Sequence, residues 1–210
     1  ESMRALGAEV VFHGKDFDEA RGEVERRSAE EGLRYIHSAD EPLLIAGVAT
    51  CTLEIIEEEP DIEVLIVPIG GGSGAAGAGL VLENLSPETK LIGVQAEEAP
   101  AACLSWKEGS LVEAPMSTRA EGLATRCAFE LTQQMLRSYL DEFVLISDEE
   151  MAAAVRLYLE KTGNLAELSG AAALAAALKL QDRLAGRKTA VILSGSNISP
   201  GQLRSILQSS

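Results

Sequence analysis

The sequence predicts an α/β fold in which helices cover both faces of a mainly parallel sheet. Short apolar runs alternate along the chain with segments of helical pattern. Runs such as VLIV at 64–67 and AVIL at 190–193 contain no polar residue, which is typical of strands buried on both faces. The length of 210 residues suffices for one large domain, or for one domain and part of another.

Six segments carry the strand pattern. They are Glu9–His13, Arg34–His37, Val64–Pro68, Leu91–Ala96, Phe143–Ile146 and Thr189–Leu193. If these strands form one parallel sheet, their carboxyl ends meet at one edge, where ligands of such folds bind.

Helix signals lie between the strands. Helical segments are predicted at Asp18–Glu31, before a C-terminal glycine, and at Pro42–Glu58, before a proline. Ser147 to Glu150 form a capping box, which predicts a helix that ends near Gly163. Ser199 and a following proline predict the start of the last helix.

The beginning of the chain and the polar stretch at 38–42 predict its organisation. Glu1 to Gly7 has the pattern of the last turns of a helix, so we expect the chain to be a fragment of a longer protein. The polar stretch predicts a boundary, with residues 1–40 as a remnant of a small α/β domain and 41–210 as a large domain.

Charge and cysteine content restrict the partners. The formal net charge of −15 disfavours nucleic acid and anionic membranes and favours a small-molecule ligand. The three cysteines lie far apart among apolar neighbours, so we expect buried, reduced thiols and a cytoplasmic protein. No apolar run is long and continuous enough to predict a membrane segment.

The glycine-rich loop after the Val64–Pro68 strand is the main candidate site. Gly70, Gly71, Gly72 and Gly74, with Ser73 among them, precede a helical segment. Glycines allow several N–H groups to approach one anion, and a helix N-terminus adds partial positive charge. The pattern therefore predicts a phosphate site, while a tight turn that serves packing alone remains the structural alternative.

The same loop also matches a dinucleotide-binding pattern. Gly72, Gly74 and Gly77 satisfy G-x-G-x-x-G, with Glu97 about 20 residues later. However, this pattern ordinarily opens the first βαβ unit of its domain, whereas other predicted elements precede it here. A nicotinamide-dependent oxidoreductase therefore stays open as an alternative.

Five ordered motifs carry a resemblance to a known family. They are PIGGGSGAAGAG (68–79), IGVQAEEAPA (92–101), RAEGLAT (119–125), AELSGAAALAAAL (166–178) and AVILSGSNIS (190–199). In this order they resemble the threonine/serine dehydratase and serine racemase branch of pyridoxal-phosphate-dependent enzymes of fold type II. The resemblance implies a tryptophan synthase β-like fold and pyridoxal 5′-phosphate as cofactor.

The resemblance also assigns roles to individual residues. It implies that the amides of Gly70, Gly71, Gly72, Ser73 and Gly74 hold the cofactor phosphate. Ser194 matches the residue that hydrogen-bonds the pyridine nitrogen. A hydroxyl partner leaves that nitrogen largely unprotonated and favours elimination. Gly122 matches a glycine beside the cofactor ring, and Glu167 matches an acidic residue near the ring edge.

Two features of the family pattern have no counterpart here. The Schiff-base lysine lies in a Ser-x-Lys-x-Arg-Gly-Ala segment upstream of the glycine loop, and no segment of this chain matches it. The chain alone is therefore expected to lack a catalytic residue and to be inactive. Racemase-like members bind a divalent ion through carboxylates where this chain has Gln95 and Ala101, so no metal site is expected.

Taken together, the residues and the resemblance lead to one main hypothesis. The intact protein is expected to be a dehydratase (ammonia-lyase) that converts a small β-hydroxy amino acid, such as threonine or serine, to a 2-keto acid and ammonia. The intact protein is expected to form a homo-oligomer, namely a dimer. The alternative hypothesis, from a different functional class, is a non-catalytic module that binds a phosphate ligand or associates with a partner subunit.

Overall fold

Four parallel strands form the sheet in a computed structural model, which describes residues 1–208. The strands are β1 (Val64–Pro68), β2 (Lys90–Ala96), β3 (Glu142–Ile146) and β4 (Thr189–Val191). Their spatial order is β3-β2-β1-β4, so β1 lies between β2 and β4. Because all three pairings are parallel, the carboxyl ends of the strands share one edge.

The remaining regular elements are helices. They are α1 (Ser2–Ala5), α2 (Phe17–Glu31), α3 (Pro42–Glu58), α4 (Ser73–Leu85), α5 (Ala101–Glu108), α6 (Glu130–Tyr139), α7 (Asp148–Thr162), α8 (Ala172–Lys179), α9 (Gln181–Leu184) and α10 (Pro200–Gln208), with short 3₁₀ turns at Glu121–Leu123 and Ser169–Ala171. None of these helices is both long and apolar enough to cross a membrane.

Alternation along β1 produces a separate core on each face of the sheet. Val64 and Ile66 face one core, which includes residues of α7, α8 and α10. Leu65 and Val67 face the other core, which includes residues of α3, α4, α5 and α6. All four side chains are at most 4% exposed, as expected for a strand covered on both sides. The predicted α/β class is therefore confirmed.

Several predicted boundaries agree with the structure because they depend on local signals. Ser147 accepts from the Glu150 amide, while the Glu150 carboxylate accepts from the Ser147 amide, and α7 ends before Gly163. Ser199 likewise accepts from the Gln202 amide at the start of α10. By contrast, β4 ends at Val191, two residues before its predicted end, because it pairs with β1 over only three residues.

The chain divides into two compact units, Glu1–His37 and Ser38–Ser210. In the first unit, the predicted strands at Glu9–His13 and Arg34–His37 are wrong, since both segments lack regular secondary structure. A β-strand requires a ladder of backbone hydrogen bonds to a neighbour, and neither segment has one within residues 1–208. The functional division at residues 40 and 41 stays a prediction.

The cysteines correct another expectation. All three are free, but only Cys103 is buried, and Cys51 is exposed on α3. The prediction of three buried thiols is wrong because Cys51 lies on the helix surface away from the buried positions Ile45, Ala49 and Ile56.

Thiol reactivity should separate these two cysteines. Burial raises the pKa of the Cys103 thiol, which lowers its thiolate fraction, whereas the thiol of Cys51 is accessible. We expect iodoacetamide at neutral pH to modify Cys51 well before Cys103, as measured by peptide mass spectrometry. Unfolding in urea should remove the difference, and equal modification in the folded protein would contradict the assigned burial.

Candidate functional site

The glycine-rich loop lies where β1 passes into α4, at the carboxyl edge of the sheet. β1 ends at Pro68, Gly72 is the N-cap of α4, and Ser73 is its first residue. Gly72 has a φ of 95°, a conformation that favours glycine. The first turn of α4 contains no acidic residue. Its N-terminal amides and partial positive charge therefore form a region suited to an anion.

Packing explains two of the glycines in this loop. A Cβ at Gly70 would lie 2.1 Å from the carbonyl oxygen of Gly122, and a Cβ at Gly71 would lie 2.4 Å from the Cβ of Ala39. At Gly74 the nearest atom would be 3.8 Å away, which is an ordinary contact. The loop is thus closely packed at its first two glycines and open at Gly74.

A second set of contacts fixes the loop from the side of α6. The Thr132 hydroxyl donates to the Gly71 carbonyl oxygen at 2.8 Å. The Asp40 carboxylate accepts from the amides of Thr132 at 3.0 Å and Leu131 at 3.2 Å, and so caps α6. Sequence reasoning missed both Asp40 and Thr132. The polar stretch at 38–42 was the available signal, but it indicated a boundary rather than a cap.

Gly122 connects the loop to the rest of the candidate site. It lies in the 3₁₀ turn Glu121–Leu123, with its carbonyl oxygen against Gly70. On its other side, a Cβ at Gly122 would lie 2.8 Å from the Ser169 hydroxyl oxygen and 3.9 Å from the Glu167 carboxylate. Gly122 therefore lies between the glycine loop and the Glu167 segment.

Glu167 in turn contacts the segment that follows β4. Its backbone amide donates to the Gly195 carbonyl oxygen at 3.1 Å, and its carboxylate would lie 2.6 Å from a Cβ at Gly195. A Cβ at Gly170 would lie 2.1 Å from the same Gly195 carbonyl oxygen. Ser194 precedes Gly195 and is exposed. These contacts connect the glycine loop to Gly122, Glu167 and Gly195, and Ser194 adjoins this set through the chain.

Ser169 is a further site residue that sequence reasoning missed. Its side chain is buried, and its hydroxyl donates to the Glu167 carboxylate at 3.0 Å. This hydrogen bond holds the carboxylate between Gly122 and Gly195. The signal available in the sequence was the Glu167-to-Ser169 spacing immediately before the alanine-rich helix α8.

The third glycine of the dinucleotide pattern has a packing role. A Cβ at Gly77 would lie 2.9 Å from the Ile45 carbonyl oxygen and 3.0 Å from the Ala49 amide nitrogen. Close contact between α3 and α4 therefore requires glycine at this position. Glu97 is exposed, and its amide donates to the Ile146 carbonyl oxygen.

The lysines of the chain lie at the protein surface. Lys15, Lys90, Lys179 and Lys188 form ion pairs with carboxylates at the surface. Lys107 and Lys161 are exposed in the last turns of α5 and α7. The six lysines thus have surface positions, and none of these observed contacts involves the glycine loop.

The position proposed for a metal in racemase-like members has a different environment here. Gln95 is fully buried, and its amide oxygen accepts from the Cys103 amide at 3.0 Å. Ala101 is the first residue of α5 and contributes only an apolar side chain. Within residues 1–208, no group of three or more His, Cys, Asp or Glu residues is arranged to hold a metal ion.

This chain is similar to known proteins in sequence and in fold. The family described as pyridoxal-phosphate dependent enzyme matches residues 1–195. The chain is 37% identical over 205 residues to an L-threonine ammonia-lyase of Thermotoga maritima, covering 97% of this chain and 51% of that protein. It is 39% identical over 198 residues to an L-threonine ammonia-lyase of Geobacter sulfurreducens, covering 94% and 49%.

Solved structures agree with the sequence comparison. The processed form of threonine deaminase isoform 2 from Solanum lycopersicum superposes with a TM-score of 0.91 at 33% identity, over 98% of this chain and 61% of that one. Maize serine racemase superposes with a TM-score of 0.87 at 26% identity, over 97% and 65%. The chain spans about half the length of the two ammonia-lyases. It belongs to the pyridoxal-phosphate dependent enzymes of fold type II, in their threonine/serine dehydratase branch.

Proposed function

We propose that the intact protein is a pyridoxal-phosphate-dependent dehydratase (ammonia-lyase) acting on a small β-hydroxy amino acid such as threonine or serine. The observation that carries this proposal is the identity of 37–39% to two L-threonine ammonia-lyases over nearly the whole of this chain. In the reaction, the substrate loses its β-hydroxyl group and a Cα proton, and hydrolysis releases ammonia and a 2-keto acid.

The glycine-rich loop is the proposed site of the cofactor phosphate. Gly70, Gly71, Gly72, Ser73 and Gly74 would hold it through backbone amides at the N-terminus of α4. The chemistry of the loop fits a phosphate, because side chains are absent from four of its five residues and the first turn of α4 lacks acidic residues. The Thr132 hydroxyl bond to the Gly71 carbonyl oxygen holds the loop in one conformation.

Three residues outside the loop are the proposed contacts of the cofactor ring. When bound, pyridoxal phosphate supplies an electron-withdrawing ring that promotes loss of the Cα proton and the β-hydroxyl. Ser194 would donate a hydrogen bond to the pyridine nitrogen, and the Gly122 backbone would lie beside the ring. Glu167 would lie near the ring edge, with its carboxylate held by a hydrogen bond from the Ser169 hydroxyl at 3.0 Å. A hydroxyl partner provides no fixed negative charge to hold a proton on that nitrogen.

The proposed domains, partners and location follow from the proposed activity. Residues 41–210 would form the large cofactor-phosphate-binding domain, and residues 1–40 would be part of a smaller α/β domain. The proposed partners are a small-molecule amino acid and a second copy in a homodimer, without nucleic acid or membrane. The net charge of −15 supports the last point, and a cytoplasmic location in amino acid metabolism accompanies the proposed activity.

The proposed reaction requires a lysine that this chain does not place at the site. This chain contributes binding and orientation, while the proton-transferring lysine comes from another part of the intact protein. The 210-residue chain alone should have no dehydratase activity.

The experiment compares the protein translated from its complete reading frame with the 210-residue chain. With pyridoxal phosphate and L-threonine or L-serine, the complete protein should release equal amounts of 2-keto acid and ammonia, and the chain alone should release neither. L-Alanine is the matched control, because it lacks a β-hydroxyl leaving group. Absence of keto acid from both β-hydroxy amino acids in a complete protein that binds the cofactor would contradict the proposed reaction.

One observation favours a second function, a non-catalytic module that binds a phosphate ligand or associates with a partner subunit. Four of the six lysines are held in surface ion pairs, and the other two are exposed in helix ends. The same experiment separates the two functions. A complete protein that binds pyridoxal phosphate but releases no keto acid would support the binding module.

A further inference from the structure

A buried carboxylate at the start of α7 holds the chain just before Gly122. Asp148 is 5% exposed and accepts hydrogen bonds from the Thr118 hydroxyl, the Arg119 amide at 2.8 Å and the Arg119 Nε at 3.0 Å. Its partners lie 29–30 residues away in sequence. These bonds therefore join α7 to a distant segment of the chain.

The segment that Asp148 holds depends on such bonds for its position. Residues 111–118 have no regular secondary structure. The Ser117 amide donates to the Glu98 carbonyl oxygen at 2.9 Å, and the Ala120 amide donates to the Thr118 hydroxyl at 3.0 Å. With the bonds to Asp148, these contacts fix the chain immediately before the 3₁₀ turn that contains Gly122.

The environment of Asp148 explains why a charged acceptor is suited to this position. Asp148 is the first residue of α7, where the N-terminal partial positive charge stabilises an anion, and the Arg119 guanidinium pairs with it. The Asp148 side chain is 8% exposed, whereas that of Arg119 is 53% exposed. Leaving a buried carboxylate without its hydrogen-bond donors costs free energy, so these three bonds oppose movement of Thr118 and Arg119 away from Asp148.

We propose that Asp148 is a positioning residue of the cofactor-phosphate site. Through Thr118 and Arg119, it holds Gly122 so that the Gly122 carbonyl oxygen closes one side of the glycine loop at Gly70. This role rests on the proposed function of that loop. Displacement of Gly122 would open the loop on this side and would also disturb the Ser169 contact on the other.

The test measures ligand affinity in the 210-residue chain with 4′-deoxypyridoxine 5′-phosphate, which lacks the aldehyde and so cannot react with surface lysines. In Asp148→Asn the amide retains one acceptor oxygen, but the charge is lost. We expect affinity measured by calorimetry to fall about tenfold, which is the size of a lost charged hydrogen bond. The bound ligand should also show a changed ³¹P chemical shift, a signature that a purely structural role elsewhere would not produce.

Glu149→Gln provides the matched control. Glu149 neighbours Asp148 and accepts from Arg119 at 3.3 Å, but its side chain is 78% exposed, so its replacement should change affinity by less than about twofold. Thr118→Val removes one donor to Asp148 and should weaken ligand binding. Thr118→Ser retains the donor and should bind the ligand as the unsubstituted chain does. The Thr118 pair keeps the test decisive if Asp148→Asn does not fold.

Two results would overturn the proposal at different levels. If folded Asp148→Asn or Thr118→Val binds the ligand with the affinity and the ³¹P chemical shift of the unsubstituted chain, the positioning role alone is overturned. Failure of the unsubstituted chain to bind the phosphate ligand would overturn the proposed loop function, and the positioning role with it.

Discussion

Gly70→Ala should weaken binding of the cofactor phosphate and also destabilise the fold. The new Cβ would lie 2.1 Å from the Gly122 carbonyl oxygen and 3.2 Å from its carbonyl carbon, both backbone atoms that cannot rotate away. Overpacking of this kind lowers the free energy of unfolding by about 1–3 kcal/mol. Because the loop must move away from Gly122 to relieve the clash, we also expect the affinity for the phosphate ligand to fall about tenfold or more. Calorimetric titration with 4′-deoxypyridoxine 5′-phosphate, together with thermal unfolding, measures both effects.

Gly47→Ala is the control for Gly70→Ala. Gly47 lies in α3, and a Cβ there would have no atom within 4 Å. The same substitution should therefore leave affinity unchanged and raise stability by up to about 1 kcal/mol, since alanine favours a helix. Wild-type affinity in folded Gly70→Ala would mean that Gly122 does not close the loop.

Gly170→Ala should disturb the opposite end of the site, near Ser194. Its Cβ would lie 2.1 Å from the carbonyl oxygen of Gly195 and 3.0 Å from the amide nitrogen of Gly195. The backbone next to Ser194 must therefore move. We expect a stability loss of about 1–3 kcal/mol. The ¹⁵N resonance of the pyridine nitrogen in bound 4′-deoxypyridoxine 5′-phosphate should change more than its ³¹P resonance.

Gly201→Ala is the control at this end of the site. Gly201 lies in α10, and the nearest atom to its Cβ would be the Ser199 hydroxyl oxygen at 3.9 Å. This variant should leave both resonances unchanged. A Gly170→Ala variant whose ³¹P resonance shifts while the ¹⁵N resonance does not would contradict the assignment of Ser194 to the pyridine nitrogen.

The sequence was sufficient for elements whose signals are local. The all-apolar run 64–67 predicted β1, and the Ser147-to-Glu150 pattern predicted both the cap and the start of α7. Strands at Glu9–His13 and Arg34–His37 were not observed, because strand propensity does not by itself supply a hydrogen-bonded neighbour. Local composition is informative about a segment, but pairing depends on distant residues.

The same distinction applies to the candidate site. The glycine loop was recognisable from four glycines between a strand and a helix, and the ordered motifs indicated Gly122, Glu167 and Ser194. The supporting contacts of Asp40, Thr132 and Asp148 connect segments separated by 29–92 residues. No periodic pattern in a single sequence identifies such pairs, because each partner has an ordinary local context. Their roles emerged only from the folded arrangement.

The most direct measurement for the central claim is the set of backbone amide shifts of the ¹⁵N-labelled chain on addition of 4′-deoxypyridoxine 5′-phosphate. Binding of the phosphate by the glycine loop predicts the largest shifts at Gly70, Gly71, Gly72, Ser73 and Gly74, with unphosphorylated 4′-deoxypyridoxine producing none of comparable size. Saturable binding with the largest shifts outside 70–74, or shifts that do not depend on the phosphate, would contradict it.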